Sequence, residues 1–358
     1  MKKLFTVIFL LVLYLSCTVY FNSCGTDTTT NPQTPGSSNN NSYTLSNNYG
    51  DIVKLTVKSA SNKDNITALT YEWINQSLNM NGNGTMTLET NPNLAGVYKT
   101  SDGNYIIEQP DSAFISSIQF CRPESKIGFG ITSEKNLNTL TLTGDYIFIN
   151  YAQDTIDAFG GYSIKSDGTF TWGLAPYDIS TISNFNYFQG GGSGTWAVSS
   201  SDSSIVIFNS GGVNIEGVVY PGKYMIIGDE VNHCVTVGIK YPSVPVDISQ
   251  VAGTYRGFDY TNDGNVGVGF YTMPSTAAQL PYYFSYNNPP LISQGISSGN
   301  VTRHPGINNC FVVRDIKPGE WDFNCYVIML SGECLLHFAR SNIGNQGSNS
   351  CGFCLKIN

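Results

Sequence analysis

At 358 residues the chain is longer than one hydrophobic core usually serves, so two or three domains are expected, and 41% hydrophobic residues supply the apolar surface to build them. Its net charge of -8 comes from 18 Lys+Arg against 26 Asp+Glu, with no basic run after Lys2-Lys3, which argues against a nucleic-acid partner. Only 12% of residues are charged, and 37 Gly, 22 Tyr and 19 Phe with abundant Thr suit strands and tight turns, with little helix.

Met1-Lys2-Lys3 is a positive n-region, and Leu4 to Ser16 is an apolar run of signal-peptide length, so residues 1–23 read as an export signal. The run ends at Phe21-Asn22-Ser23-Cys24-Gly25, where a small residue precedes a cysteine. This resembles a bacterial lipoprotein signal, departing from that pattern at Phe21, where Leu is usual, and at Asn22, where a smaller residue is usual. The resemblance covers only this N-terminal segment. It implies acylation of Cys24, anchoring to the membrane through the N-terminal lipid, and a location in the cell envelope, at the periplasmic or extracellular face of an outer membrane. Cys17 is the rival acylation site, although Thr18 to Phe21 would then leave apolar residues beyond the lipid. An uncleaved transmembrane helix over Leu4 to Phe21 is the competing reading, since its length approaches the roughly 18–20 residues a bilayer requires. Both readings put the body outside the cytoplasm. Residues 24–47, rich in Thr, Pro, Ser and Asn, read as the lipidated cysteine and a disordered tether.

Beyond the tether, short apolar-alternating segments separated by Gly, Asp, Asn and Pro repeat at roughly domain length. Gly103-Asn104-Tyr105-Ile106-Ile107 recurs as Gly222-Lys223-Tyr224-Met225-Ile226-Ile227 and, more loosely, as Asn324-Cys325-Tyr326-Val327-Ile328-Met329, each within a closing meander. Two openings also match: Leu142-Thr143-Gly144-Asp145-Tyr146 and Val251-Ala252-Gly253-Thr254-Tyr255. Gly followed two residues later by an aromatic at the head of a strand resembles the opening of lipocalin-like barrels, which implies an aromatic plugging the barrel floor. The predicted units are 48–136, 137–245 and a Cys-rich 246–358. The fold class is all-β, with tandem antiparallel meander or barrel-like units, lipocalin-like or sandwich.

Within the first unit, Thr67 to Met80 also fits helical spacing through Leu69, Trp73, Ile74 and Leu78, so one short helix is admissible there. Asp102-Gly103, Asp167-Gly168 and Asp263-Gly264 mark hairpins, with both residues of each pair able to take positive φ. Tyr162, Ile164, Phe170 and Trp172 alternate about the second of these, predicting one buried and one wet face.

Seven cysteines follow Cys24: Cys121, Cys234, Cys310, Cys325, Cys334, Cys351 and Cys354. In an exported chain the five in the last unit, Cys310, Cys325, Cys334, Cys351 and Cys354, read as disulfide formers, with an odd thiol left over. Cys351-Gly352-Phe353-Cys354 has redox spacing, but no helix can start so near the chain's end, and zinc binding by Cys334, His337, Cys351 and Cys354 is a weaker alternative. No metal or cofactor is predicted.

Gly295-Ile296-Ser297-Ser298-Gly299 matches the hydrolase elbow, yet its Ser/Gly surroundings read as a loop between strands. His304, before Pro305-Gly306, reads as a turn residue, and His337 as half-buried in an apolar strand. The stretch from Asp259 to Gly264 hints at a calcium loop but lacks the closing Glu, and a hairpin turn fits better. Tyr187 and Tyr282, Tyr283 and Tyr286 are candidates for stacking on sugar rings if exposed. The preferred reading is a non-catalytic binding or display lipoprotein for a glycan or an envelope protein. The alternatives are a secreted hydrolase using Ser297 or the acid pair Asp259 and Asp263, and a structural or assembly subunit of the envelope.

Overall fold

A computed structural model describes residues 40–59, 68–109, 112–133, 137, 142–152, 156–175, 179–261, 264–287, 290–317, 321–330, 332–341 and 350–356. Cys24, its rival Cys17 and Asp263 lie outside the described residues.

The described chain forms three successive antiparallel meanders. The first runs through β1 (Asn40–Asn47), β2 (Ile52–Ser59), β3 (Ala68–Asn75), β4 (Met80–Leu88), β5 (Tyr98–Thr100), β6 (Tyr105–Gln109), β7 (Ala113–Ser116) and β8 (Gly128–Thr132), and β8 pairs back onto β1 to close a barrel. The second runs through β9 (Gly144–Ala152), β10 (Ile156–Ile164), β11 (Thr169–Leu174), β12 (Gly192–Val198), β13 (Val206–Ser210), β14 (Val213–Tyr220), β15 (Tyr224–Asp229) and β16 (Cys234–Lys240), and closes through β16 and β9. The third holds β17 (Gly253–Thr261), β18 (Val266–Met273), β19 (Gln279–Asn287), β20 (Pro290–Asn300), β21 (Thr302–Arg303), β22 (Cys310–Lys317), β23 (Trp321–Leu330), β24 (Cys334–Ser341) and β25 (Ser350–Lys356). Its two edge strands are β20 and β21, separated in the chain by Val301 alone. They are therefore one bent segment, pairing with β19 on one side and β22 on the other, and the ring is complete. Ser298 strengthens the join: its N–H donates to Asp315 Oδ1 at 2.8 Å, and its Oγ accepts from the Ile316 N–H at 2.7 Å. Closure removes the exposed sheet edges that invite aggregation.

The matched openings build matched floors. Gly144 and Gly253 have φ of +132° and +139°, and two residues on Tyr146 and Tyr255 return their hydroxyls to the Leu142 and Val251 carbonyls at 3.3 and 2.8 Å. A lysine from the last strand closes each floor: Lys240 Nζ donates to Thr143 O and Lys356 Nζ to Ala252 O, at 2.6 and 2.9 Å, each lying over the tyrosine ring.

Each barrel has its own interior core, with Tyr43, Trp73 and Phe114 in the first, Tyr146, Phe170 and Trp196 in the second, and Tyr255, Phe311 and Leu335 in the third. A further core lies between barrels, where outward side chains of all three meet. There Phe129 packs on Tyr151 and Phe353 with ring centroids 4.9 and 5.5 Å apart, Tyr151 meets Tyr260 at 6.2 Å, and Phe159 meets Phe338 at 6.2 Å. Burying each of those phenylalanines contributes about 1.5–3 kcal/mol. This explains the repeated apolar runs. Tyr224 and Ile226 face the shared core while Met225 and Ile227 face their own barrel, and Tyr326 to Met329 divides the same way, as does Tyr105 to Ile107. Such strands are buried on both faces and read as continuous apolar runs. The echo does not mark one equivalent strand, since it falls on the sixth strand of the first barrel, the seventh of the second and, with β20 and β21 counted as one segment, the sixth of the third.

Several expectations are corrected. Asn40–Asn47, read as the end of the tether, is β1, with Tyr43 and Leu45 fully buried. Its surrounding asparagines concealed the alternation. No helix forms among the described residues 68–80 of the stretch that also fitted helical spacing: β3 alternates strictly, burying Leu69, Tyr71, Trp73 and Asn75 and exposing Ile74. The glycines of the three Asp-Gly pairs are left-handed, with φ of +87°, +82° and +74° at Gly103, Gly168 and Gly264, whereas Asp102 and Asp167 are not. Each glycine N–H bonds the carbonyl three residues back, at Thr100, Lys165 and Thr261, and at the first two corners, described throughout, this is a type I turn followed by a bulge. The alternation about Gly168 holds: Tyr162 faces Trp172 and Ile164 faces Phe170 on the interior face.

Cys310, Cys325, Cys334, Cys351 and Cys354 are buried and in no disulfide, as is Cys234, which corrects the disulfide expectation for the last unit. Register is the reason. Cys310 sits opposite Ile328, Cys325 opposite Val313 and Ala339, Cys334 opposite Leu330 and Leu355, Cys351 opposite Tyr260 and Phe338, and Cys354 opposite Gly257 and Leu335. Cys310, Cys334 and Cys351 face the shared core, whereas Cys325 and Cys354 face the barrel interior. They act as small apolar side chains.

Candidate functional site

The third barrel keeps an interior cavity of about 400 Å³ above its Tyr255 floor. Every strand of the ring except the short β21 contributes an inward residue to it, from Asp259 on β17 to Ser350 on β25. Rings of Tyr271, Tyr282, Phe284, Tyr286 and Phe323 form most of the wall, and Leu280, Leu291, Val313 and Ala339 fill the gaps between them. The polar lining is Asp259, Asp315, Ser293, Ser297, Thr261, Asn265 and Ser350, and none of the described lining residues is basic.

Asp259 and His337 are brought together by a glycine. They lie on β17 and β24, the strands flanking β25, and both are opposite Gly352. With no side chain at Gly352, His337 Nε2 reaches Asp259 Oδ1 at 2.7 Å, and a Cβ there would stand 2.1 Å from His337 Cε1. The second carboxylate oxygen accepts from the Tyr286 hydroxyl, giving a chain from cavity wall through Asp259 to a fully buried imidazole. His337 Nδ1 has no partner among the described residues, and Tyr271 packs edge-on against the ring at 4.9 Å. Burial first, and then the Asp259 carboxylate, push the Tyr271 hydroxyl and the Cys325 thiol well above their usual ranges. Burial and Asp315 raise Tyr282.

Of the four sugar-stacking candidates, Tyr282 and Tyr286 share this lumen. Tyr283, one residue out of phase, points to the opposite face, where it stacks on Phe270 at 6.0 Å and joins the shared core. Tyr187 is distant in the second barrel, on a 3-10 turn at Phe185–Gln189, and is 48% exposed.

The hydrolase motif is dismantled by geometry. Ser297 lies on β20 rather than in a loop, beside the register shift that accommodates Pro281 in β19. Its hydroxyl donates to the Gly299 carbonyl at 2.7 Å and accepts from the Leu280 N–H at 2.8 Å, so it is spent on the strand irregularity. Cys351 and Cys354 project from opposite faces of β25, which separates the thiols that a redox or zinc reading would need together.

The three histidines do not converge. His233 packs at a tilt against Tyr49 where the first two barrels meet, with centroids 5.4 Å apart. His304 Nδ1 accepts from the Gly306 and Ile307 N–H groups, as a turn residue does, and its Nε2 bonds Ile179 O of the second barrel at 3.1 Å. The role of His337 with Asp259 was missed in the sequence because the two are 78 residues apart. The available signal was Gly352, which interrupts an apolar strand between two cysteines.

No protein-family model matches the chain. No curated protein matches it either. Among solved structures, it is similar to a protein of unknown function from the DUF3598 family of Nostoc punctiforme, at 7% identity over 89% of this chain and 94% of that one, with a TM-score of 0.22. It is also similar to isotype 1 transferrin binding protein B of serogroup B Neisseria meningitidis, at 10% identity over 86% of this chain and 64% of that one, with a TM-score of 0.25. A third is transferrin binding protein B of Haemophilus parasuis, at 8% identity over 91% and 77%, with a TM-score of 0.21. At these TM-scores the functional reading rests on the chain's own geometry.

Proposed function

We propose that the chain is an exported, lipid-tethered envelope protein with a non-catalytic binding role, and that its ligand is a small amphipathic molecule held in the lumen of the third barrel. The observation that carries the reading is that lumen: about 400 Å³, mostly apolar, with a few converging polar groups, within the size range of small-molecule sites. A binding role fits the polar set better than turnover does. Ser297 is committed to its own strand, and both oxygens of Asp259 are occupied by Tyr286 and His337. The N-terminal sequence around Cys24 supports the tether.

Titration with the uncharged fluorophore N-phenylnaphthylamine tests the lumen. The full chain should give a saturable, one-to-one fluorescence rise that Ser293→Trp, which fills the cavity, abolishes and Tyr187→Ala leaves intact. Equal binding by the Ser293→Trp variant, or none by the parent, refutes the site. In a bacterial host, Cys24→Ser should move the protein from membranes to the soluble fraction, and an unchanged distribution refutes the lipid anchor.

A further inference from the structure

Apart from the lumen, we infer a second binding site: the cleft where the first barrel meets the outer face of the third takes a small sugar acid, its carboxylate on Lys126 and its hydroxyls among neutral side chains. The cleft has a volume of about 400 Å³, ample for one hexose ring, and lies between two folded units, where small-molecule sites concentrate. Phe258 and Val268 face it from β17 and β18, whose other face carries Asp259 and Tyr271 into the lumen, so one sheet separates the two sites. Lys126 is its one charged residue among those described, and no described acid lines it. Lys126 Nζ donates to the Gly264 carbonyl across the cleft at 2.7 Å, which holds the ammonium in place and leaves its other protons for a ligand. Two more cations lie beside the cleft without an acid partner among the described residues. Lys99 Nζ sits over the Tyr105 ring at 5.4 Å, and Arg256, about 7 Å from Phe258 along the same face of β17, keeps its Nε buried and unbonded. Of the acids near in the chain, Asp102 is held in its own hairpin by Thr100 and Asn104, and Glu124 lies by Arg122. The first barrel's other contributions are neutral: the amides of Asn104 and Gln119 and the hydroxyls of Tyr105, Ser117 and Ser125. The third barrel adds an apolar wall of Phe258, Val266 and Val268. A ligand matching this set has a carboxylate for the ammonium, hydroxyls that both donate and accept, and a C–H face for the apolar wall, and a sugar acid combines all three.

Calorimetric titration of the full chain with glucuronate, glucose and inorganic phosphate separates the charge from the ring. Glucuronate should bind at least about fivefold more tightly than either of the others, and added salt should narrow its lead over glucose. Lys126→Gln should bring glucuronate to within about twofold of glucose, while Lys126→Arg keeps the preference. Tyr105→Phe removes a hydroxyl that bonds no described residue, so it spares the fold and should weaken glucuronate about threefold; it carries the test where Lys126→Gln lowers the unfolding midpoint through its lost Gly264 bond. Glucuronate should leave N-phenylnaphthylamine bound in the lumen, so the two sites stand or fall separately. No heat with glucuronate, glucose or phosphate binding as tightly, a preference that survives Lys126→Gln, an unchanged affinity in Tyr105→Phe, or displacement of the lumen probe overturns the assignment.

Discussion

Gly352→Ala is the sharpest perturbation the third barrel offers. Asp259 and His337 stand on strands two apart, roughly 10 Å between backbones, and their side chains meet only across the space a glycine leaves on β25. The new methyl would lie 2.1 Å from His337 Cε1 and 2.2 Å from the Phe258 carbonyl oxygen. The imidazole can rotate away at the expense of its bond to Asp259, but the carbonyl is backbone and moves only with β17. Overpacking of this kind costs about 1–3 kcal/mol. Losing a buried hydrogen bond to a carboxylate adds about 1.5–3 kcal/mol. The expected loss is therefore about 2.5–6 kcal/mol, read as a fall in the urea midpoint with an unchanged slope. A cycle with Asp259→Asn identifies the cause: if the methyl acts by breaking the Asp259–His337 pair, the double variant loses less than the sum of the single losses. A Gly352→Ala protein within about 1 kcal/mol of the parent, or strictly additive losses, would refute the account.

Acid sensitivity should trace in part to Asp51, a fully buried carboxylate in the first barrel. Burial alone would raise its pKa, but hydrogen bonds from Arg122, Asn75 and Asn47 more than offset this and hold it below the ordinary 3.8. A folded value below the unfolded one means that its contribution is fully present above about pH 4 and is lost as pH falls through the folded value. Arg122→Ala should cost about 3 kcal/mol at pH 7 by stranding the buried charge, and much less at pH 2; an equal loss at both pH values would refute the assignment. Cys234, Cys310, Cys325, Cys334, Cys351 and Cys354 should stay silent toward a thiol reagent in the native protein and react on unfolding without reductant, because all six are buried and in no disulfide. Any of the five in the third barrel that fails to react in the unfolded, unreduced protein would restore a disulfide there.

The barrel strands were legible because their cues are local. Period-two alternation, Asp-Gly corners and the two Gly-x-Tyr openings each operate within about ten residues, and the openings build the floors they suggested through Tyr146 and Tyr255. Two local readings failed because a second set of partners lay elsewhere. Asn40–Asn47 looked like tether because its polar residues conceal a strand whose neighbour, β8, is some 90 residues downstream. The cysteines looked like staples because spacing along the chain carries no record of which face a residue occupies once register is set. What the sequence determined by itself was the strand and the turn. What only the tertiary structure decided was the company each face keeps: that Tyr224, Phe353 and Phe129 meet in a core shared by three barrels, and that Asp259 finds His337 over Gly352. The physical reason is that ring closure and register fix contacts between residues scores of positions apart, and no local pattern of side chains encodes them.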